Sequence, residues 1–495
     1  MNKLISKLFF VSMLATALIF TACDGDDDGG STFADPTVTA PSSVKEVANG
    51  ASGESVDFTV SVDAGLTATY TATGSGVTVT NGSGAVSGGT VTINFDAGTV
   101  AGAASITLTV TDSENQKASG TAVIDIAEDE KTVRLTSNIS ADATWTADKV
   151  YVLGGRITVL DGATLTIEPG TVIKGEAGTG ANATALLIAR GAKLMAEGTA
   201  ALPIIFTSVA DEIQPEDVAA GNYASPNLDP VINGLWGGVI VLGKAVISAS
   251  NDNDEDVSEV QIEGIPTSDP NGLYGGTNDA DNSGVIRYIS IRHGGANIGS
   301  GNEINGLTLG AVGSATVIEH VEIVSNQDDG IEWFGGTVNV NNVVVWNTGD
   351  DGIDTDQAWR GTLDNFVVIT PAGHNFELDG PEGSFLGGHT IQNGSVIASD
   401  ADRVSEDLIN VDANSIVALK NIYITGAAEG QKINRITAVD VIFDNIIINV
   451  PAADLGNYVN GEPVPAGIVA GTTPQADTSV FGWTWASKAG AITGI

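Results

Sequence analysis

Three short segments carry acidic residues at near-constant spacing: Asp328-Asp329-Gly330-Ile331-Glu332, Asp350-Asp351-Gly352-Ile353-Asp354 and Gly373-His374-Asn375-Phe376-Glu377. Their last residues step by 22 and 23, and Asn305-Gly306-Leu307-Thr308 precedes them by 24. If Ile331, Ile353 and Phe376 point into a core, strand alternation turns Glu332, Asp354 and Glu377 outward as one acidic stripe. Like charges stacked this way need cations, raised pKa values or strong solvation. Calcium suits them, because it gathers several carboxylate and carbonyl oxygens at once. The expected calcium ligands are Asp328, Asp329, Glu332, Asp350, Asp351, Asp354 and Glu377, with Asp356 nearby. Asp-Gly also makes a good turn, and that reading accounts for the pairs without a metal.

The same residues bear on catalysis. Glycoside hydrolysis needs two carboxyl groups roughly 5 to 9.5 Å apart, which neighbouring or alternate rungs of a stack can provide. Asp350, Asp351, Asp354 and His374 are the catalytic candidates. Arg360 is the only basic residue close by in sequence, so nothing is set to hold an acidic sugar. Trp333, Trp346 and Trp359 cluster around the acidic segments and suggest a sugar-binding surface, although core packing also suits them. The insertion from Asn251 to Ser283 holds Asp252, Asp254, Glu255, Asp256, Asp279 and Asp281. It reads as a partial calcium loop or a solvated surface loop.

What positions these residues is an internal repeat of 22 to 28 residues. The pattern apolar-x-Asn-apolar-x-apolar recurs around Asn342, Asn365, Asn421 and Asn445, with a looser copy around Asn393, and His320 takes the equivalent place one turn earlier. One turn of a solenoid fits this period. Rungs about 4.8 Å apart would stack the Asn amides into a ladder. That ladder resembles those inside right-handed parallel β-helices of the pectate-lyase-like group. Ala163 to Gly175, Leu186 to Leu194, Pro203 to Ser208 and Gly234 to Gly243 resemble the opening coils of secreted bacterial β-helix proteins. Asp350-Asp351 with Asp354 and His374 resembles the paired Asp and the His of polygalacturonases, which share the coil, but the basic segment of those enzymes is missing. Phe481, Trp483 and Trp485, alternating near the end, are expected to close the last coil.

Before the repeat, residues 36–128 alternate as short strands between Gly, Asn and Ser turns, predicting a small β-sandwich. It resembles the immunoglobulin-like spacers of bacterial surface proteins. The fold class expected is therefore all-β: a right-handed parallel β-helix over 131–495 preceded by an Ig-like sandwich.

Lys3 and Lys7 precede an apolar stretch from Leu8 to Phe20, too short to span a bilayer and laid out as a secretory signal over 1–22. Phe20-Thr21-Ala22-Cys23 resembles a bacterial lipobox, which implies that Cys23, the single Cys, becomes an acylated first residue carrying chains such as palmitate. The acidic tether over 23–35 resembles the surface-export signal of Bacteroidetes lipoproteins. The expected location is the outer membrane, facing outward, with the lipid bilayer as a partner through Cys23.

A net charge of -41 sets the surface against nucleic acid. One Cys excludes a disulfide framework. The sequence favours a surface binding protein whose β-helix face takes a glycan or other extracellular ligand, with a polysaccharide or outer-membrane protein as partner. A polysaccharide hydrolase or lyase on the same coil and a structural adhesin or scaffold remain the alternatives.

Overall fold

A computed structural model describes residues 33–127, 131–251, 253–297 and 304–495. The signal segment, Cys23 and most of the tether lie outside the described residues. The chain divides into two compact units, Met1–Asp129 and Glu130–Ile495.

In the first unit, alternating sequences such as Glu54–Ser61 and Gly102–Asp112 bury every second residue. Strands Thr37–Thr39, Glu54–Ser61, Thr90–Ala97 and Val77–Val79 make one sheet, and five more strands make a second. Phe58, Ile93, Phe95, Ile106, Leu108 and Ile124 share one core between them.

The second unit is a parallel β-helix. Long parallel sheets run through it, because each coil returns its strands to the same faces. Strands Gly284–Arg292, Val317–Val324, Val340–Trp346, Thr362–Ile369, His389–Ile397, Val417–Thr425 and Val441–Ile448 pair in register. Each bends at a residue in the left-handed region: Tyr288, His320, Asn342, Asn365, Asn393, Asn421 and Asn445, with φ between 49 and 61°. Asn tolerates that conformation better than most side chains, so the corner selects it.

The predicted ladder forms at this corner. Asn365 Nδ2 donates to Asn342 Oδ1 at 2.7 Å, Asn421 to Asn393 at 3.0 Å and Asn445 to Asn421 at 2.9 Å. It breaks once, where Asn393 Nδ2 donates to Asp364 Oδ1 instead. Unlike a ladder inside the coil, this one is partly exposed, because the left-handed corner turns its amides outward. Asn393 belongs to the looser copy, and Gly394 explains the looseness. Phe366, one rung earlier on the inner side, fills the space so fully that a Cβ on Gly394 would meet its ring at 2.0 Å. A large side chain is thus matched by none at all.

The C-terminal aromatics do not close the last coil. Residues 473–495 turn back along the outside of the corner-bearing strands. Gln475 and Ala476 donate backbone N–H groups to Ser395 Oγ, Asp477 N donates to Asn365 Oδ1, and Trp483 meets Tyr288 edge-on. The physical reason lies in the outward columns of those strands. Val324, Val344, Trp346, Val367, Ile369, Tyr423 and Ile447 are apolar, and the tail's Phe481, Trp485 and Ala486 bury them.

Candidate functional site

The acidic column sits on a second parallel sheet of eight strands, from Arg156–Val159 to Asn410–Val411. Its register aligns Thr308, Glu332, Asp354, Glu377 and Asn410 rung by rung. Ile331, Ile353 and Phe376 are fully buried in the coil, so the stripe projects from the opposite side as alternation requires. The Asp-Gly pairs are more than turns. Neither Gly330 nor Gly352 adopts a positive φ; Cβ atoms there would meet Val345 Cγ1 at 2.5 Å and Val368 Cγ1 at 2.6 Å. Close approach of the opposite coil face excludes a side chain at both positions.

A second column runs three residues earlier, through Asn305, Asp329, Asp351 and His374, and its last three members are bonded in series. Asp351 N donates to Asp329 Oδ1 at 2.9 Å, and His374 N donates to Asp351 Oδ1. His374 Nδ1 lies 3.1 Å from the same oxygen and 4.0 Å from Glu377 Oε1. The two columns interleave. Each of three groups brings its ligand atoms within 4.8 Å of one another: Asp328–Asp329–Asp350, Asp329–Glu332–Asp354 and Asp351–His374–Glu377.

Asp329 and Glu332 are 7% exposed. Burial first, then the charge of neighbouring carboxylates, pushes Asp329, Glu332 and Asp354 far above the usual carboxylate range. Burial raises Asp351 to about 7 against the pull of His374. Burial opposes a charged His374, but Asp351, Glu377 and Glu406 outweigh it and hold the imidazole up at about 9.

A metal fits this chemistry. Asp354 Oδ1 and Asn305 Oδ1 are buried without a hydrogen-bond partner, and Asn305, 3% exposed, turns its amide onto Glu332 Oε2. Among the described residues, no Lys or Arg pairs with Asp329, Glu332 or Asp354. Buried oxygens of this kind are costly unless something satisfies them.

Of the catalytic candidates, Asp351, Asp354 and His374 come together in the interleaved columns, whereas Asp350 lies at the exposed rim. The proposed aromatic surface does not exist. Trp333 and Trp359 stack on each other inside the core at 4.5 Å and are at most 1% exposed. Trp333 is inward by the same alternation that sends Glu332 out, and Trp346 is buried against Trp485.

Among the described residues, acidic side chains of the insertion engage protein groups and do not gather as metal ligands. Asp279 binds the Arg360 guanidinium through both oxygens at 2.6 and 2.7 Å, Asp281 accepts Lys244 N, and Asp256 accepts Ser384 N. The insertion walls the upper end of the acidic face, placing Glu263 near Glu332. An open pocket of ≈ 410 Å³ lies between the insertion and earlier coils, lined by Asp161, Arg190, Lys244 and Glu259. It includes none of the column residues.

Beside Asp356, already placed near the stripe by its sequence position, stand Asp379 and Glu382, which sequence reasoning missed. Burial and Glu382 raise Asp356 to about 8, and burial and Asp412 raise Asp379 to about 6. Gln357 ties this group to the insertion, donating to Glu382 Oε2 at 3.1 Å and accepting from Tyr274 at 2.8 Å. Asp379 and Glu382 stand in a loop outside the repeat, so spacing gave no signal for them.

A family model described as a pectate-lyase like β-helix domain matches residues 137–222 and 224–462. The chain belongs to the pectate-lyase-like β-helix family. No curated protein matches it. Two solved structures resemble this β-helix chain distantly. The Yersinia enterocolitica family 28 exopolygalacturonase is 10% identical, with a TM-score of 0.19, covering 90% of this chain and 100% of its own. The Erwinia chrysanthemi pectate lyase PelI, in complex with tetragalacturonic acid, is 8% identical with a TM-score of 0.19, covering 88% and 100%.

Proposed function

We propose that this pectate-lyase-like protein is a lipid-anchored, surface-exposed binding protein whose acidic β-helix face holds calcium and, through it, a glycan or other extracellular ligand. The observation that carries this reading is the group Asp329–Glu332–Asp354, two of its members buried and Asp354 half-buried, without a basic partner among the described residues, and edged by the unpartnered oxygens of Asp354 and Asn305. Calcium binds six to eight oxygens, so a partly built protein cage leaves positions that a ligand's hydroxyl or carboxylate oxygens can fill. With the Trp residues in the core, recognition runs through oxygen donors and the metal, not through aromatic stacking. Cys23 supplies the anchor, and the sandwich serves as an Ig-like spacer that lifts the coil from the outer membrane.

A glycan array probed with the full chain tests this reading. Retention that requires calcium and is lost in Glu332→Gln with Asp354→Asn supports it; retention unaffected by chelation would overturn the metal's role.

A second reading, a polysaccharide hydrolase or lyase, is favoured by one observation: His374 and Asp351, 3.1 Å apart, are a proton-exchanging pair beside further carboxyl groups. Release of reducing ends or unsaturated products from a polysaccharide panel, lost in His374→Ala, would establish it in place of binding alone.

A further inference from the structure

The third group on the acidic face differs from the other two in kind. Asp328–Asp329–Asp350 and Asp329–Glu332–Asp354 offer only oxygens, whereas Asp351–His374–Glu377 brings an imidazole nitrogen to two carboxylates. Hard cations such as calcium take oxygen ligands, while zinc and its neighbours accept imidazole and carboxylate together.

We infer that Asp351, His374 and Glu377 form a separate site for a borderline transition ion of the zinc class, distinct from the calcium positions beside it. The inference shares the face used by the proposed function but rests on a different donor set.

The geometry is close to what such an ion needs. Zinc bonds nitrogen and oxygen at about 2.0–2.2 Å, which in a tetrahedron spaces ligand atoms about 3.4 Å apart. His374 Nδ1 lies 3.1 Å from Asp351 Oδ1 and 4.0 Å from Glu377 Oε1, on either side of that value. Three protein ligands leave a fourth position free, as open zinc sites do. Access exists on one side only: the Asp351 side chain is 1% exposed, His374 16% and Glu377 33%. Asn410 Nδ2, one rung on, donates to Glu377 Oε1 at 3.1 Å and steadies it, the outer support that metal-binding carboxylates usually have. One rung back in the Glu377 column, the buried and unpartnered Asp354 Oδ1 shows that the protein alone does not complete this part of the face. The triad also joins two consecutive coils, Asp351 from one and His374 with Glu377 from the next, so a bound ion would staple them.

The test titrates the metal-free full chain with zinc in saturating calcium, by calorimetry, and with cobalt(II), by visible absorption. One equivalent of zinc, intense cobalt bands of a low-coordinate site, and loss of both in His374→Gln are expected. The calcium-dependent melting shift of His374→Gln serves as its folding control. Absence of zinc binding in calcium-saturated wild type, or zinc binding unchanged in a folded His374→Gln, would overturn the site. A missing calcium shift beside intact, His374-dependent zinc binding would sink the calcium reading alone.

Discussion

Arg292 and Glu322 stand on adjacent rungs with fully buried side chains, 3.6 Å apart beneath the C-terminal segment. Ser290 bridges them, accepting from Arg292 Nε at 2.7 Å and donating to Glu322 Oε2 at 2.6 Å. Trp485 lies over the guanidinium and Ala486 N donates to Glu322 Oε1. A buried pair costs desolvation, but losing one partner leaves a bare charge in the interior. Glu322→Ala should therefore cost about 3–5 kcal/mol in urea unfolding, and Arg292→Met with Glu322→Met much less.

The tail itself can be removed. Deleting residues 473–495 should expose Val344, Val367, Tyr423 and Ile447 together with the ion pair. Increased binding of a hydrophobic dye and a lower melting temperature are expected, whereas an unchanged melt would mean that the tail adds nothing to the coil.

Calcium should stabilise the protein by mass action, about 2.7 kcal/mol at a hundredfold excess over its dissociation constant. Glu332→Gln with Asp354→Asn should remove most of the difference between calcium and chelator in a thermal melt. A wild-type melt indifferent to chelator would show the carboxyls to be held by protons alone.

Without metal, stability should fall as pH rises. Asp351 and Asp356 have folded pKa values of about 7 and 8 against a usual 3.8, so protons favour the folded state; that contribution is complete near pH 4 and lost as pH passes 7 to 8. His374, raised to about 9, adds to the loss on the same side. His389, buried against Trp359 and lowered to about 3, acts oppositely, and its contribution disappears as pH drops from 6.5 towards 3. Chelated protein should melt higher at pH 5.5 than at 8.5. Calcium should narrow the gap.

If the proposed lipobox anchors the protein, Cys23→Ser should release it from the membrane fraction, since among the described residues no helix is long and apolar enough to cross a membrane. Fractionation and blotting check it, and unchanged retention would contradict the lipobox.

The coil and its outward acidic column were legible because both obey a period. Asn342, Asn365 and Asn445 repeat where a left-handed corner demands Asn, and Glu332, Asp354 and Glu377 alternate against buried neighbours. Burial depth was not legible. Alternation assigns Trp333 to the inside as surely as Glu332 to the outside, yet composition alone suggested a sugar platform. The tail's place was hidden for a related reason: apolar residues at Val344 and Val367 face out of the coil, and a strand buried on both sides reads the same whether a sheet or a returning segment covers it. Asp379 and Glu382 lie outside the repeat and reach the acidic face only through the loop that carries them.

The returning tail also sets an order of events. A solenoid normally holds each coil by its neighbours alone, so coils can form one after another as the chain emerges. Here the coils bearing Tyr288, Trp346, Asn365 and Ser395 receive their last contacts from residues 475–485. The middle of the stack stays unfinished on one flank until residues 473–495 arrive. A protein interrupted before residue 473 would then carry every rung and still leave a greasy seam open to the first partner it meets.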